Sequence, residues 1–293
     1  MEYIIETNNL CKSYGKKVVL NNLNLHVPKG SIYGLIGRNG AGKTTFMRII
    51  SGIAMPTKGE FVNNSNNKMS TIIETAGIYE DMSVIDNLKA QCMLRKLDDY
   101  SCIDEILQII NLKGEEKTKA SKLSLGMKQR LGIGMALIGD TELIVLDEPM
   151  NGLDPNGIID IRNIILNLNK NKGITFIISS HILDELSKVA THLGFIDNGE
   201  LIKEISSSEI IAQCPITTNI DVSDAKKLVI ILEKMGINYS VETSTLIKAF
   251  GKVSFDALEP YMTEENIKIN SLSINEASLE SYYLNIMSGN KRE

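Results

Sequence analysis

One glycine-rich stretch constrains this chain more than any other: Gly37-Arg38-Asn39-Gly40-Ala41-Gly42-Lys43-Thr44-Thr45. It fits G-x-x-x-x-G-K-[ST] and sits between two elements that the pattern needs. The apolar run Ile32-Tyr33-Gly34-Leu35-Ile36 predicts a strand before it, and Thr45-Phe46-Met47-Arg48-Ile49-Ile50 predicts a helix after it. Glycines let the backbone curl so that successive N–H groups point inward, and the helix N-terminus adds partial positive charge at the same spot. Such a spot holds an anion. A lysine followed by a threonine makes that anion a nucleoside triphosphate, with Lys43 reaching the β- and γ-phosphates and the Thr44 hydroxyl ligating Mg²⁺.

A second candidate site lies far downstream. Glu142-Leu143-Ile144-Val145-Leu146-Asp147-Glu148-Pro149 is an apolar run ending in two carboxylates. The run suits a strand buried on both faces of a parallel sheet. Asp147 at its carboxyl end would hold the Mg²⁺ shell, and Glu148 would orient or deprotonate an attacking water. Between the two sites, Lys122-Leu123-Ser124-Leu125-Gly126-Met127-Lys128-Gln129-Arg130 reads as a helix start. Ser124 is the expected N-cap, the helix running to about Ile138 and ending at Gly139.

Composition narrows the partners. A net charge of −5 argues against a nucleic-acid partner, which needs a basic face. Cys11, Cys92, Cys102 and Cys214 are scattered with no metal-like spacing, as in a reduced, cytoplasmic protein. The segment Met1-Glu2-Tyr3-Ile4-Ile5-Glu6 lacks the basic and apolar regions of a signal peptide. No apolar run approaches the roughly 20 residues that cross a bilayer, so a membrane role is expected to come through another protein.

Three anion or metal elements in this order resemble the ATPase subunit of ATP-binding cassette transporters, over about residues 3–212. The fold class that this implies is α/β: a P-loop NTPase cassette with a mixed sheet and a helical subdomain over about 76–140. The resemblance also assigns residues. ATP binding falls to Asn39, Gly40, Ala41, Gly42, Lys43, Thr44 and Thr45, with Tyr14 of Lys12-Ser13-Tyr14-Gly15 stacking on adenine. Ser124 and Gly126 match the family signature, usually LSGGQ and here LSLGM. Asn151-Gly152-Leu153-Asp154 matches a loop that runs between subunits, and His181 of Ser179-Ser180-His181 matches a histidine on the γ-phosphate. His26 and His192 are left as structural residues. Family geometry closes the signature helix over the ATP of a second subunit. With every motif in one chain, a head-to-tail homodimer enclosing two ATP is expected, coupled to a separate multi-spanning permease at the inner face of the cell membrane.

One position departs from the family pattern. Where most members carry a glutamine that touches Mg²⁺ and the attacking water, this chain has Glu74. A carboxylate is a sound Mg²⁺ ligand. Yet about 4 Å from a phosphate oxygen it is repelled by roughly 4 kcal/mol at an effective dielectric of 20. Glu74 is therefore expected to face the metal or the water, or to stay outside the closed site. An acidic residue within Ile72-Ile73-Glu74, followed by Gly77-Ile78-Tyr79, is similar to the bacitracin-resistance and lantibiotic self-protection branch, which expels membrane-active peptides. Export of another drug or a lipid, or a soluble cassette ATPase without a transporter, are the alternatives.

In the remainder, Ser101 is expected to cap a helix, with Asp104 three residues on and Ile103, Ile106, Leu107 and Ile110 on one face. Tyr79 and Met82 are candidates for contact with the permease. After Ser206-Ser207-Ser208 and Pro215 the character changes, placing a boundary near 214 between a cassette over 1–213 and an accessory α+β domain over 214–293. The tail reads strand (217–222), helix (225–235) with Ser223 as cap, strand (238–242), strand (245–250), helix (255–262) and strand (267–272). This βαββαβ order predicts a small ferredoxin-like unit, closed by a helix over 278–284.

Overall fold

The computed structural model describes residues 2–213, 216–265 and 267–275, with Tyr282 and Ile286. Two compact units divide the chain, Met1–Ser206 and Ser207–Glu293; residue 214, near which the composition changes, is outside the described residues. The first unit opens with β1 (Tyr3–Tyr14), β2 (Lys17–Leu23) and β3 (His26–Pro28). It continues with β4 (Ile32–Ile36), α1 (Lys43–Ile50), β5 (Lys58–Asn63) and β6 (Met69–Ile72). β1 pairs antiparallel with β2, β3 and β5, and register shifts interrupt all three pairings.

The helical segment follows: α2 (Val84–Leu94), α3 (Cys102–Ile109) and α4 (Leu125–Ala136). The Ser83 and Ser124 side chains cap α2 and α4 by accepting from Asp86 N and Met127 N. Ser101, however, does not cap α3. Its backbone is already helical (φ −59°, ψ −27°), and its hydroxyl donates to Asp99 Oδ2 at 2.6 Å while its N–H donates to Asp99 Oδ1. Those bonds hold the Asp99 carboxyl below its usual pKa. The expected apolar face survives, with Ile103, Ile106, Leu107 and Ile110 all buried.

The chain then returns to the sheet through β7 (Leu143–Asp147), α5 (Pro155–Lys172), β8 (Thr175–Ser180), α6 (Leu183–Ser187), β9 (His192–Asp197) and β10 (Glu200–Ser206). The central sheet has the order β10-β9-β4-β8-β7-β6, parallel throughout except for the β10–β9 hairpin. Every residue of β4 and β8 is buried, as a sheet covered on both faces requires. Phe46, Met47, Leu143, Val145 and Ile177 form part of one core cluster. Burial and the adjacent Glu204 carboxylate push the Tyr33 phenol well above its usual pKa. Glu204 also meets His26 Nδ1 at 2.9 Å, which gives His26 a structural role. Because β4, β7 and β8 are neighbours running in parallel, the loops after them emerge at one sheet edge, where ligands bind in open α/β sheets.

The second unit contains α7 (Ser207–Gln213), β11 (Thr217–Val222), α8 (Ala225–Lys234), β12 (Tyr239–Val241), β13 (Leu246–Phe250), α9 (Phe255–Glu265) and β14 (Ile269–Asn275). Its sheet order, β12-β13-β11-β14, is antiparallel throughout, the ferredoxin-like arrangement. Ala225, Leu228 and Leu232 are buried against Ile220, Ile247 and Ala249, with Val229 partly buried beside them. The cap of α8 is Asp224, which accepts from Lys226 N at 2.9 Å, and not Ser223. The Ser223 hydroxyl instead accepts from Lys268 N and joins the strand entry. The expected helix over 278–284 lies outside the described residues, except for buried, helical Tyr282.

Candidate active site

The loop after β4 carries two glycines in left-handed backbone, Gly40 at φ 85° and Gly42 at φ 112°. A Cβ on Gly42 would stand 2.6 Å from Leu20 Cδ2, so only glycine fits there. Gly42 is also the N-cap residue of α1, and the helix starts directly at Lys43. The cleft above has a volume of about 700 Å³ and is lined by Asn39, Gly40, Gly42, Lys43, Thr44, Thr45 and Glu148. Ala41 lies buried behind it, its carbonyl accepting from Gly199 N at 3.0 Å.

Residues more than a hundred positions apart meet in this cleft. Lys43 is 5% exposed; its ammonium donates to the Gly37 carbonyl at 2.7 Å and lies 3.6 Å from Glu148 Oε1. The Thr44 hydroxyl donates to Asp147 Oδ2 at 2.8 Å. Asp147 Oδ1 accepts from the Ser179 hydroxyl at 2.5 Å, so both carboxylate oxygens are held. The β7–β8 register, which sets Asp147 opposite Ser179, is the cause. The same Ser179 oxygen accepts from Glu148 N at 2.9 Å. Glu148 adopts φ 50°, a left-handed conformation that costs a non-glycine residue about 1–2 kcal/mol. The turn carries its side chain to His181, whose Nδ1 lies 2.7 Å from Glu148 Oε2.

Chemically, the cleft offers a cationic, N–H-lined cradle with a carboxylate–imidazole pair at its rim. Among the described residues no group of three or more His, Cys, Asp or Glu side chains could hold a metal alone. The Thr44 hydroxyl and the Asp147 carboxylate are hard oxygen donors. Such a pair fits a small divalent cation that completes its shell with phosphate oxygens and water.

Other expected site residues stand apart. Tyr14 is 48% exposed and is not among the residues lining the cleft; the Lys12 ammonium lies 4.8 Å from its ring centroid. Ser124 and Asp154 cap α4 and α5, and neither they nor Gly126 line the cleft. Instead these two loops touch each other: a Cβ on Gly152 would sit 3.4 Å from Leu125 Cδ2, and one on Gly126 would sit 3.7 Å from the Gly157 Cα. Glu74, at φ 67°, is mostly exposed, and its carboxylate pairs with Arg48. Sequence reasoning missed Ser179 as an orienting group, and Lys17, Val18, Val19 and Asn198 as cleft walls. The sequence carries no spacing signal for them, because they reach the cleft only through strand register and the β9–β10 turn.

The family model for "ABC transporter" matches residues 20–151. The chain is 38% identical to the bacitracin transport ATP-binding protein of Enterococcus faecalis, over 99% of this chain and 98% of that protein. It is 42% identical to a lantibiotic transport ATP-binding protein of Streptococcus pyogenes, over 70% of this chain and 93% of that protein. A solved ATP-binding cassette of an ABC transporter in its ADP conformation is similar at 27% identity and a TM-score of 0.66, covering 73% of this chain and 95% of that one.

Proposed function

Since the chain belongs to the ABC transporter family of ATP-hydrolysing, ATP-binding proteins, we propose that it powers an exporter of membrane-active peptide antibiotics of the bacitracin or lantibiotic type. The observation that carries the chemistry is that Lys43, Thr44 and Glu148 line one cleft, with Asp147 bonded to Thr44 and His181 bonded to Glu148. The cargo reading rests on similarity along nearly the whole chain to a relative named for bacitracin transport.

The loop Asn39–Thr45 and Lys43 take the triphosphate, with backbone N–H groups and the buried ammonium as donors. The ammonium would exchange Gly37 O and Glu148 for phosphate oxygens. Thr44 and Asp147 would hold Mg²⁺, which would supply charge neutralisation to the triphosphate. Glu148 accepts the proton of the attacking water, and a base so placed contributes about 10²–10⁴ in rate. His181 orients the Glu148 carboxylate through their hydrogen bond and reaches toward the γ-phosphate. Glu74 serves the cation or the water, and Tyr14 stacks on adenine. Ser124, Gly126 and Asp154 act across the interface of a head-to-tail homodimer.

No described helix is long and apolar enough to cross a membrane. A separate permease supplies the pathway, and the subunit works at the cytoplasmic face beside it. The test is affinity purification from native membranes, followed by a peptide-resistance assay. Recovery of a multi-spanning protein, with resistance that disappears in Glu148→Gln, is expected. That variant should also hold ATP in a dimer, with turnover reduced about 10²-fold or more. Recovery of ribosomes, or resistance independent of Glu148, would remove the transport reading.

A further inference from the structure

Arg48 belongs to none of the motifs above, yet its guanidinium meets the Glu74 carboxylate. The two arrive from different elements. α1 carries Thr44 in its first turn and Arg48 four residues later, so both side chains share one helix face, about 6 Å apart along the axis. Glu74 follows β6, and the register of Ile72 with Leu146 brings the residues after β6 out at the same sheet edge as Asp147 and Glu148. The left-handed backbone at Glu74 turns the chain there. Glu148 already places one carboxylate at this edge. A second, bare one would oppose the entry of a triphosphate.

We propose that Arg48 is a positioning residue for Glu74. Its guanidinium holds the carboxylate one helical turn back from Thr44 and cancels its charge, so that incoming ATP meets a neutral pair. This inference rests on the ATPase reading of the cleft. The side chains of Arg48 and Glu74 are 36% and 62% exposed, so water and salt screen the pair and it exchanges partners readily. That is the property required of a contact that gives way when nucleotide and cation arrive.

The experiment measures equilibrium ATP binding by the full-length chain in EDTA, where no divalent cation bridges carboxylate and phosphate. Wild type, Arg48→Gln, Glu74→Gln and the double variant form a cycle. Arg48→Gln is expected to weaken ATP binding about three- to fivefold, the size of an exposed charge pair. The double variant should bind as Glu74→Gln does, Arg48→Lys should recover most of the loss, and added salt should shrink it. Nucleotide-free thermal unfolding of each variant separates a lost fold from a lost charge. An equal penalty with Glu74 and with glutamine at 74, no penalty at all, or no rescue by lysine overturns the proposal. Wild type that binds ATP only with Mg²⁺ would overturn this proposal alone, and wild type that binds none in either condition would overturn the ATPase reading as well, so the two failures are distinct.

Discussion

The Ser179 hydroxyl touches both halves of the acidic motif, accepting from Glu148 N and donating to Asp147 Oδ1. It is fully buried, and a hydrogen bond to a charged group contributes about 1.5–3 kcal/mol. Ser179→Ala frees one Asp147 oxygen to rotate away from Thr44 and removes the acceptor that fixes the strained Glu148 backbone. Turnover is therefore expected to fall about tenfold or more, and the Mg²⁺ concentration giving half-maximal activity to rise. Steady-state ATPase assays across a Mg²⁺ series read both, and unchanged turnover throughout would show that Asp147 keeps its orientation unaided. The cradle and acidic residues were legible because their spacing is set by backbone geometry local to a strand end or helix start. Ser179 and Arg48 were not, because a hydroxyl inside a strand and a cation on a helix acquire their roles only from what register and packing set opposite them.

Elements were legible where a period or a cap is self-contained. The strand runs before the phosphate loop and before Asp147, the apolar face of the Cys102–Ile109 helix and the βαββαβ order all came from patterns within single segments. The errors came where a neighbouring aspartate displaced the expected serine cap: Asp99 accepts from both the N–H and the hydroxyl of Ser101, and Asp224 rather than Ser223 accepts from Lys226 N. The irregular β1 pairings, with their register shifts, left no clean alternation to read. One tertiary support lies in the β9–β10 turn. Gly199 N donates to the Ala41 carbonyl, and Gly199 O accepts from Asn21 N, so the turn braces the phosphate loop from behind. Gly199 and Gly30 share a left-handed backbone, φ 81° and 75°. A Cβ on Gly199 would strike the Val19 carbonyl, whereas one on Gly30 meets nothing within 4 Å. Both alanine variants thus incur the same conformational cost of about 1 kcal/mol, and only Gly199→Ala should lose more, about 2–3 kcal/mol in total with weaker ATP binding. Urea unfolding of the two variants side by side checks this, and equal losses would mean that the turn shifts without consequence for the loop.

At the scale of the whole molecule, the question is why a chain that carries every expected motif does not assemble them in one place. Ser124 caps the Leu125–Ala136 helix and Gly126 lies in its first turn, and a helix N-terminus favours an anion by its dipole. That end packs beside the Asn151–Asp154 loop and does not line the cleft of its own chain. In the proposed head-to-tail dimer each copy would lend its helix end to the other's triphosphate, and a two-fold axis would make both sites alike. Complementation between two variants tests this. Lys43→Ala destroys the phosphate cradle and leaves the helix end intact; Ser124→Arg blocks the helix end and leaves the cradle intact. Each variant alone should be inactive. In an equal mixture, about half of the dimers are mixed, and each of these holds one site with both parts intact, so activity should return to about a quarter of the wild-type rate per chain. The rate should also rise with the square of protein concentration at low concentration, as association becomes limiting. A mixture no more active than its parents, or a Ser124→Arg variant that turns over normally alone, would mean that each cleft works without the second copy.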